Sequence, residues 1–410
     1  MAYIGSLFIA GSEEFEEKYK SGIAYGLAAK SSVDFLYEFD DSTWQVELKK
    51  DVSDIVARST KELNKEILAS DGFEIIQRAL DILSVKNIFS ITLDNPATRS
   101  IGVYCQNKES ILFHYSLTDF PMSMNFTMTE FDSQNIEIIQ PLPPEPIWNE
   151  SYRYYRLSQS GNDLFEAYRN LFLGFEALIN AICPKHKKER ERSWLKRSLG
   201  QIDEKINLSQ HSQTDSESAV DCIIRTQYKD IRCRLLHAKL PNAQLPHSRL
   251  NPVDVQTAYE QLIRIWRQIA CHYFNVPNYG GLVTNIGFEK MMLKFFSNNT
   301  ILSYTIDNSH LNKDDKKPSP KGDEVNIFEV TDYSGAVRPG VVRIHGYEKI
   351  NSSSGKYVKP IHRICCLNNE ILFSISYIES GLKISGVDGW ESIQELRLVN
   401  TSQPTAEFKT

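Results

Sequence analysis

The stretch that decides the fold reads LFEAYRNLFLGFEALINAI and covers residues 164–182. Its large apolar side chains recur every three or four residues, a spacing that gathers them on one face of an α-helix. Asn162 or Asp163 can cap the start of this helix, and Cys183-Pro184 ends it, because a residue before proline is driven out of the helical conformation. The sequence therefore predicts a long helix with one buried face.

Two more helices are predicted downstream, over Ser216 to about Leu236 and from Asn251-Pro252 to Phe274. A proline in the first turn is typical of a helix start. Upstream, residues 141–146 hold four prolines in six positions, which neither a helix nor a central strand tolerates. These signals predict an all-α helical bundle over residues 147–275, with a domain boundary before it.

The regions on either side of this bundle show strand-like alternation of apolar and polar residues. Residues 1–140 also contain helical patterns, over 54–70 and 72–85, and are predicted to form an α+β accessory domain. Residues 282–410 contain short strand patterns between polar turns, typical of a small β-rich domain. The predicted fold class is thus α+β and multidomain, with three domains.

The composition is that of a folded protein whose bulk charge does not attract nucleic acid. Of 410 residues, 41% are hydrophobic and 24% are charged, and the net charge is -6, so an RNA site would need a local basic patch. The N-terminus lacks a basic leader, and no apolar run reaches membrane-spanning length. A cytoplasmic protein without membrane contact is expected.

The cysteine and glycine patterns argue against a cofactor. Seven scattered cysteines include no CxxC pair, so we expect reduced thiols and no metal site. No GxGxxG, Walker, HExxH or GxSxG motif is present, and no cofactor is predicted.

The chemically informative motif is YKDIRCRLLHAK, residues 228–239, in which Arg232 and His237 form an Arg-x4-His pair. Preceded by the helix that contains YRNLFLGFEAL (168–178) and followed by a closing helix, it resembles a HEPN domain of the Apea-like or MauJ-like sort. The resemblance covers the predicted bundle, less than a third of the chain.

The resemblance implies a metal-independent endoribonuclease, in a stress response or in phage defence, which cleaves RNA by attack of the 2′-hydroxyl on the adjacent phosphate. In that role His237 would transfer a proton near neutral pH, and Arg232 would hold the phosphate with its planar donors. HEPN domains commonly dimerise, so RNA and a second copy are the expected partners. Two departures from the family are Cys233, where a polar residue is frequent, and the extra cation Arg234.

The spacing of the pair conflicts with a straight helix. Five residues turn an ideal α-helix through about 500°, which leaves the two side chains about 140° apart. The pair can meet if the helix unwinds between Arg232 and His237, or if a second subunit supplies the complementary group.

Other residues are candidate supports of the pair. Glu176 lies within an apolar helix face and could orient Arg232, or form a structural ion pair with it. Asn170 and Tyr228 are candidate neighbours, or ordinary hydrogen-bonding residues at the edge of the core.

The connector over residues 185–197 carries seven Lys or Arg against two Glu. It would attract RNA phosphates, and Trp194 could stack on a base, although a solvated helix start with Trp194 in the core explains the pattern better. The candidate RNA-binding residues are Lys187, Lys188, Arg190, Arg192 and, beyond the motif, Lys239. The alternative to a nuclease is a non-catalytic HEPN module that dimerises or binds nucleotide or RNA, with the flanking domains as sensors.

Overall fold

The computed structural model mixes helices and strands and divides into two compact units. It describes residues 1–11, 18–39, 42–122, 130–138, 144–161, 163–212, 216–250, 252–277, 283–297, 299–312, 315–350 and 359–400. Unit 1 comprises Met1–Pro121, His247–Leu250 and Val283–Val399, and unit 2 comprises Met122–Pro246, Asn251–Leu282 and Asn400–Thr410.

Unit 1 is built on two β-sheets among its described residues. Its strands are β1 (Ala2–Ile4), β2 (Leu7–Ala10), β3 (Ser21–Gly26), β4 (Phe35–Phe39), β5 (Trp44–Leu48), β6 (Asp54–Ser59), β7 (Arg99–Gln106), β8 (Glu109–Met122), β11 (Thr300–Thr305), β12 (Val325–Ile327), β13 (Val330–Arg338), β14 (Val341–Lys349), β15 (Ile361–Asn368), β16 (Ile371–Ile384) and β17 (Gly389–Asn400). The sheet orders are β12-β11-β15-β16-β1-β2 and β13-β14-β17-β8-β7-β3-β6-β5-β4. Helices α1 (Lys65–Val85) and α8 (Asn285–Phe296) complete the unit.

The two outer stretches of the chain share these sheets. β1 pairs with β16, with Ala2 opposite Ile384, and β8 lies beside β17 in the larger sheet. The sequence pattern had separated residues 1–140 from 282–410 as two domains, whereas in the structure their strands belong to one unit. The helical stretch between them is therefore an insertion into a β-rich unit.

The predicted helix over 54–70 is wrong in its first part. Asp54–Ser59 is strand β6, which pairs with β3 on one side and β5 on the other, and all six of its residues are buried. A strand that is buried on both faces lacks the alternation of apolar and polar residues. Periodicity alone therefore does not distinguish it from a helix. The helix itself begins at Lys65, where the Asn64 side chain accepts from the Ile67 backbone N–H.

Unit 2 is built mainly from helices that pack around one apolar core. Its elements are the short strands β9 (Glu130–Phe131) and β10 (Glu137–Ile138) and the helices α2 (Ser151–Ser160), α3 (Leu164–Ile182), α4 (Glu191–Ile206), α5 (Ala219–Ile223), α6 (Cys233–Leu236) and α7 (Val253–Phe274). The limits of α3 confirm the sequence prediction. Asp163 caps its start by accepting from the Glu166 N–H at 2.7 Å, whereas Asn162 lies outside the described residues, as does Asn251.

The helix that carries the motif is wider in its middle than an α-helix. Residues Ile224–Arg232 form a π-helical segment between α5 and α6. π-Helical segments are rare in proteins, and many of those that occur lie at functional sites. Tyr168 of α3 is buried against it and donates its hydroxyl to the Gln227 carbonyl at 2.8 Å. This bond ties the long apolar helix to the motif.

None of the helices among the described residues combines the length and the apolar character needed to cross a bilayer.

We predict that Tyr168→Phe lowers the free energy of unfolding by about 1–2 kcal/mol, because it removes a buried hydrogen bond while the apolar ring stays in place. Urea unfolding should show a lower midpoint with an unchanged slope. Tyr154→Phe on α2, at a tyrosine that is 37% exposed, is the matched control and should leave the midpoint unchanged. An equal midpoint for both variants would contradict the role of the Tyr168 hydroxyl.

Candidate functional site

Arg232 and His237 meet at the end of the motif helix. α6 ends at Leu236, and His237 takes a non-helical conformation with φ -124° and ψ 77°. The Arg232 Nη1 atom and the His237 Nε2 atom lie 3.4 Å apart. The helix thus ends between the two residues, as their spacing requires if one chain is to bring them together.

Arg232 is held from several sides and its side chain is only 14% exposed. Its Nη2 donates to Glu191 Oε1 at 2.7 Å. Its guanidinium carbon lies 5.8 Å from the centre of the Phe172 ring and 5.2 Å from that of Tyr228, within the range of cation–π attraction. The guanidinium is therefore fixed in place by one ion pair and two aromatic faces.

The Glu176 carboxyl lies on the same side of Arg232 as Glu191. Glu176 Oε1 is 3.7 Å from Arg232 Nη2 and has no hydrogen-bond partner among the described residues. Burial, reinforced by a hydrogen bond to Glu191 and by the Glu191 charge, raises the pKa of Glu176 to about 8. The charges of Arg232 and Lys185 oppose this shift without cancelling it.

Glu191 is the charged member of this carboxyl pair. The hydrogen bond with Glu176 lowers the pKa of Glu191, and the Arg232 charge lowers it further. Glu191 also lies in the first turn of α4, where the helix dipole favours a negative charge, and it accepts from the Tyr228 hydroxyl at 3.3 Å. Near neutral pH the cluster therefore contains one cation, one anion and one neutral carboxylic acid.

The His237 imidazole is exposed beside this cluster. Arg232 has no acceptor atom, so a hydrogen bond between Nη1 and Nε2 requires that Nε2 of the imidazole carry no proton. The loop after His237 folds back on the motif helix, because Arg234 Nε donates to the Asn242 carbonyl at 3.0 Å and the Gln244 N–H donates to the Arg234 carbonyl at 3.0 Å. Arg234 thus holds the loop that carries His237 and is not part of the cluster.

The basic connector leads directly to the cluster. Arg190 and Arg192 flank Glu191 in the sequence, so their backbone lies one residue from the ion pair with Arg232. The side chains predicted to bind RNA are exposed at Lys187, Lys188, Arg190, Arg192 and Lys239. Trp194 is buried and donates its indole N–H to the Cys183 carbonyl at 2.8 Å. Stacking of Trp194 on a base is therefore wrong, and its place in the core is confirmed.

Asn170 is not brought to the cluster. Asn170 is two residues from both Tyr168 and Phe172 on α3. Two residues turn an α-helix by about 200°, so Asn170 lies on nearly the opposite face of the helix from both. Sequence reasoning missed Glu191, which was counted only as a charge that reduces the basic balance of the connector. The sequence could predict that Glu191 lies at the start of a helix. It could not predict that Glu191 contacts Arg232, 41 positions further along the chain.

No group of three or more His, Cys, Asp or Glu side chains in the described part of the chain is arranged to hold a metal ion. Comparisons with models of protein families, with curated proteins and with solved structures find no match.

We predict that Glu176→Gln makes the protein less sensitive to alkaline pH. Because the folded state raises the Glu176 pKa, folded protein retains a proton that the unfolded chain releases, and stability falls as pH rises from about 4.5 towards 8. Glutamine does not titrate, so the variant should gain stability relative to wild type across this range, on the order of 1–2 kcal/mol. Thermal unfolding at pH 5 and pH 8.5 measures the difference. The control Glu204→Gln, at an exposed residue of α4, should follow wild type, and an identical pH dependence in all three proteins would refute the shared-proton arrangement.

Proposed function

We propose that the protein is a metal-independent endoribonuclease of the HEPN type, with unit 2 as the HEPN-like module. The observation that carries the proposal is the 3.4 Å approach of Arg232 Nη1 and His237 Nε2. An imidazole and an immobilised cation this close together can act on the same phosphodiester, one as proton acceptor and the other as hydrogen-bond donor to a phosphate oxygen. The RNA target and the cytoplasmic setting belong to the same proposal.

In the proposed reaction, the 2′-hydroxyl of a ribose attacks the phosphorus on its own 3′ side. The unprotonated His237 Nε2 accepts the proton of that hydroxyl, while Arg232 donates to a non-bridging phosphate oxygen on which charge develops. The bond from phosphorus to the 5′-oxygen of the next residue breaks. The products are a 2′,3′-cyclic phosphate and a strand that begins with a 5′-hydroxyl, so the 5′-oxygen must gain one proton.

This second proton is the argument for a homodimer. In an in-line displacement the attacking and leaving oxygens lie on opposite sides of the phosphorus, so one imidazole reaches only one of them. A second copy of the chain would supply a second His237 as the donor to the 5′-oxygen. The exposed cations around Glu191 would meanwhile hold phosphates on either side of the cleavage point.

The second candidate function is a non-catalytic module that dimerises or binds nucleotide or RNA. It is favoured by the short ion pair between Arg232 and Glu191 at 2.7 Å, because that pair already compensates the cation and by itself needs no ligand. The two candidates differ in one result, whether the unmodified protein breaks RNA.

We predict that the wild-type protein cleaves single-stranded RNA in the presence of EDTA and leaves a 2′,3′-cyclic phosphate, detected by mass spectrometry of the products. His237→Ala should lower the rate by about 10² to 10⁴-fold, since it removes the proton acceptor. Arg232→Ala should lower it by about 10² to 10³-fold, since it removes the donor to the developing charge.

Two matched variants control this assay. His272→Ala removes an exposed histidine of α7, and Arg264→Ala removes an arginine whose side chain is 72% exposed; both should retain full activity. Wild-type protein as inert as His237→Ala, over a panel of structured and unstructured RNAs, would instead favour the non-catalytic module. Cleavage that survives in His237→Ala would exclude this histidine as the proton acceptor.

We also predict that the active species has twice the chain mass of 47.0 kDa. Light scattering coupled to size exclusion, at the concentrations used for cleavage, measures it. A single-chain mass together with full activity would remove the second His237 from the reaction and leave water as the proton donor.

A further inference from the structure

A small cleft opens beside Arg232 and takes no part in the reaction derived above. Its volume is about 80 Å³. One wall is the face of α3 that carries Phe165, Tyr168 and Phe172, which are at most 8% exposed, and the other is the end of α6 with the loop beyond it. The second wall includes Leu236, and Arg232, Glu166 and Arg169 also line the cleft.

The cleft is apolar inside and charged at its limits. Leu236, which is 39% exposed, and the aromatic wall give an apolar interior. Arg232 stands against the Phe172 ring and marks one limit. Glu166 and Arg169 are paired at 3.0 Å with side chains about half exposed, so they offer an acceptor and a donor where the cleft meets solvent.

The size and the charges together restrict the occupant. A pocket for a complete drug-sized ligand has about 300–1,000 Å³, so this cleft holds one part of a ligand whose remainder lies outside. That part must be small and apolar enough to contact aromatic and leucine side chains. Arg232 retains its Nη1 donor where the remainder meets it, which favours a remainder with anionic oxygen acceptors. A nucleobase joined through ribose to a phosphate has both properties.

We propose that this cleft binds the nucleobase of the RNA residue whose phosphate contacts Arg232. The inference rests on the proposed function for the source of the base, but the binding itself needs no cleavage. An unstacked base inserted between the aromatic face of α3 and Leu236 would fix the position of its ribose and hence of the 2′-hydroxyl. Contact with aromatic and apolar faces is worth about 1–3 kcal/mol per base and accepts any base.

Calorimetric titration of the full chain with the four ribonucleoside 5′-monophosphates and with ribose 5-phosphate tests the proposal. At least one nucleotide should bind about 5- to 150-fold more tightly than ribose 5-phosphate, the ratio that corresponds to the stacking energy. Leu236→Trp, which fills the cleft with an indole ring, should abolish this advantage and leave ribose 5-phosphate binding unchanged. Arg232→Ala should weaken both ligands.

Leu157→Trp is the matched control, because Leu157 lies on α2, is 40% exposed and does not line the cleft. It should keep the nucleotide advantage, and circular dichroism verifies that both tryptophan variants fold. A 2′-O-methyl RNA trimer, which is not cleaved, should displace the bound nucleotide. Equal binding of nucleotides and ribose 5-phosphate, an unchanged advantage in Leu236→Trp, or no displacement by the trimer would each overturn the proposal.

The cleavage assay and these titrations test separate claims, so either one can fail without the other. Inert protein that still prefers nucleotides over ribose 5-phosphate would remove the nuclease and keep the base site. Active protein without that preference would remove the base site alone.

Discussion

The largely buried charge of Arg232 is the constraint on which the site depends. A guanidinium that is only 14% exposed needs a negative partner, because burial of an unpaired charge is strongly unfavourable. Glu191 provides one negative charge, and the neutral Glu176 adds none. If both carboxyls were ionised, the cluster would be net negative and would repel a phosphate. The burial that raises the pKa of Glu176 therefore also favours the proposed approach of a phosphate to Arg232.

Three distant parts of the chain must pack together to satisfy that constraint. α3 brings Phe172 and Glu176, α4 brings Glu191 in its first turn, and the π-helical segment brings Tyr228 and Arg232. The buried bond from Tyr168 to the Gln227 carbonyl holds α3 against the motif helix. The aromatic face of α3 thus has three roles. It belongs to the core of unit 2, it contacts the Arg232 guanidinium through Phe172, and it forms one wall of the adjacent cleft.

Local signals in the sequence predicted local structure well. The apolar period and the Asp163 cap located α3, and the approach of proline after the motif anticipated the end of α6 before His237. Pairing over long sequence distances was not predictable. Periodicity mistakes the strand at 54–59 for helix because all six of its residues are buried, so no alternation of apolar and polar residues marks it. The sheets shared by 1–140 and 282–410 have no local signal, because their strands lie far apart in the sequence. Glu191 was missed for the same reason, since only packing brings it to Arg232.

The proposed reaction also requires one of the two motif residues to move, and their contacts differ in how firmly they hold each one. A separation of 3.4 Å between Arg232 Nη1 and His237 Nε2 leaves no room for a phosphate between them. Arg232 is fixed by Glu191 and by two aromatic rings, whereas the His237 side chain is exposed and follows the last helical residue. Since the more constrained group costs more to displace, the proposed reaction requires the imidazole to move rather than the guanidinium. In the proposed reaction a phosphate oxygen would then accept from Nη1, and Nε2 would be free to accept the proton of the 2′-hydroxyl.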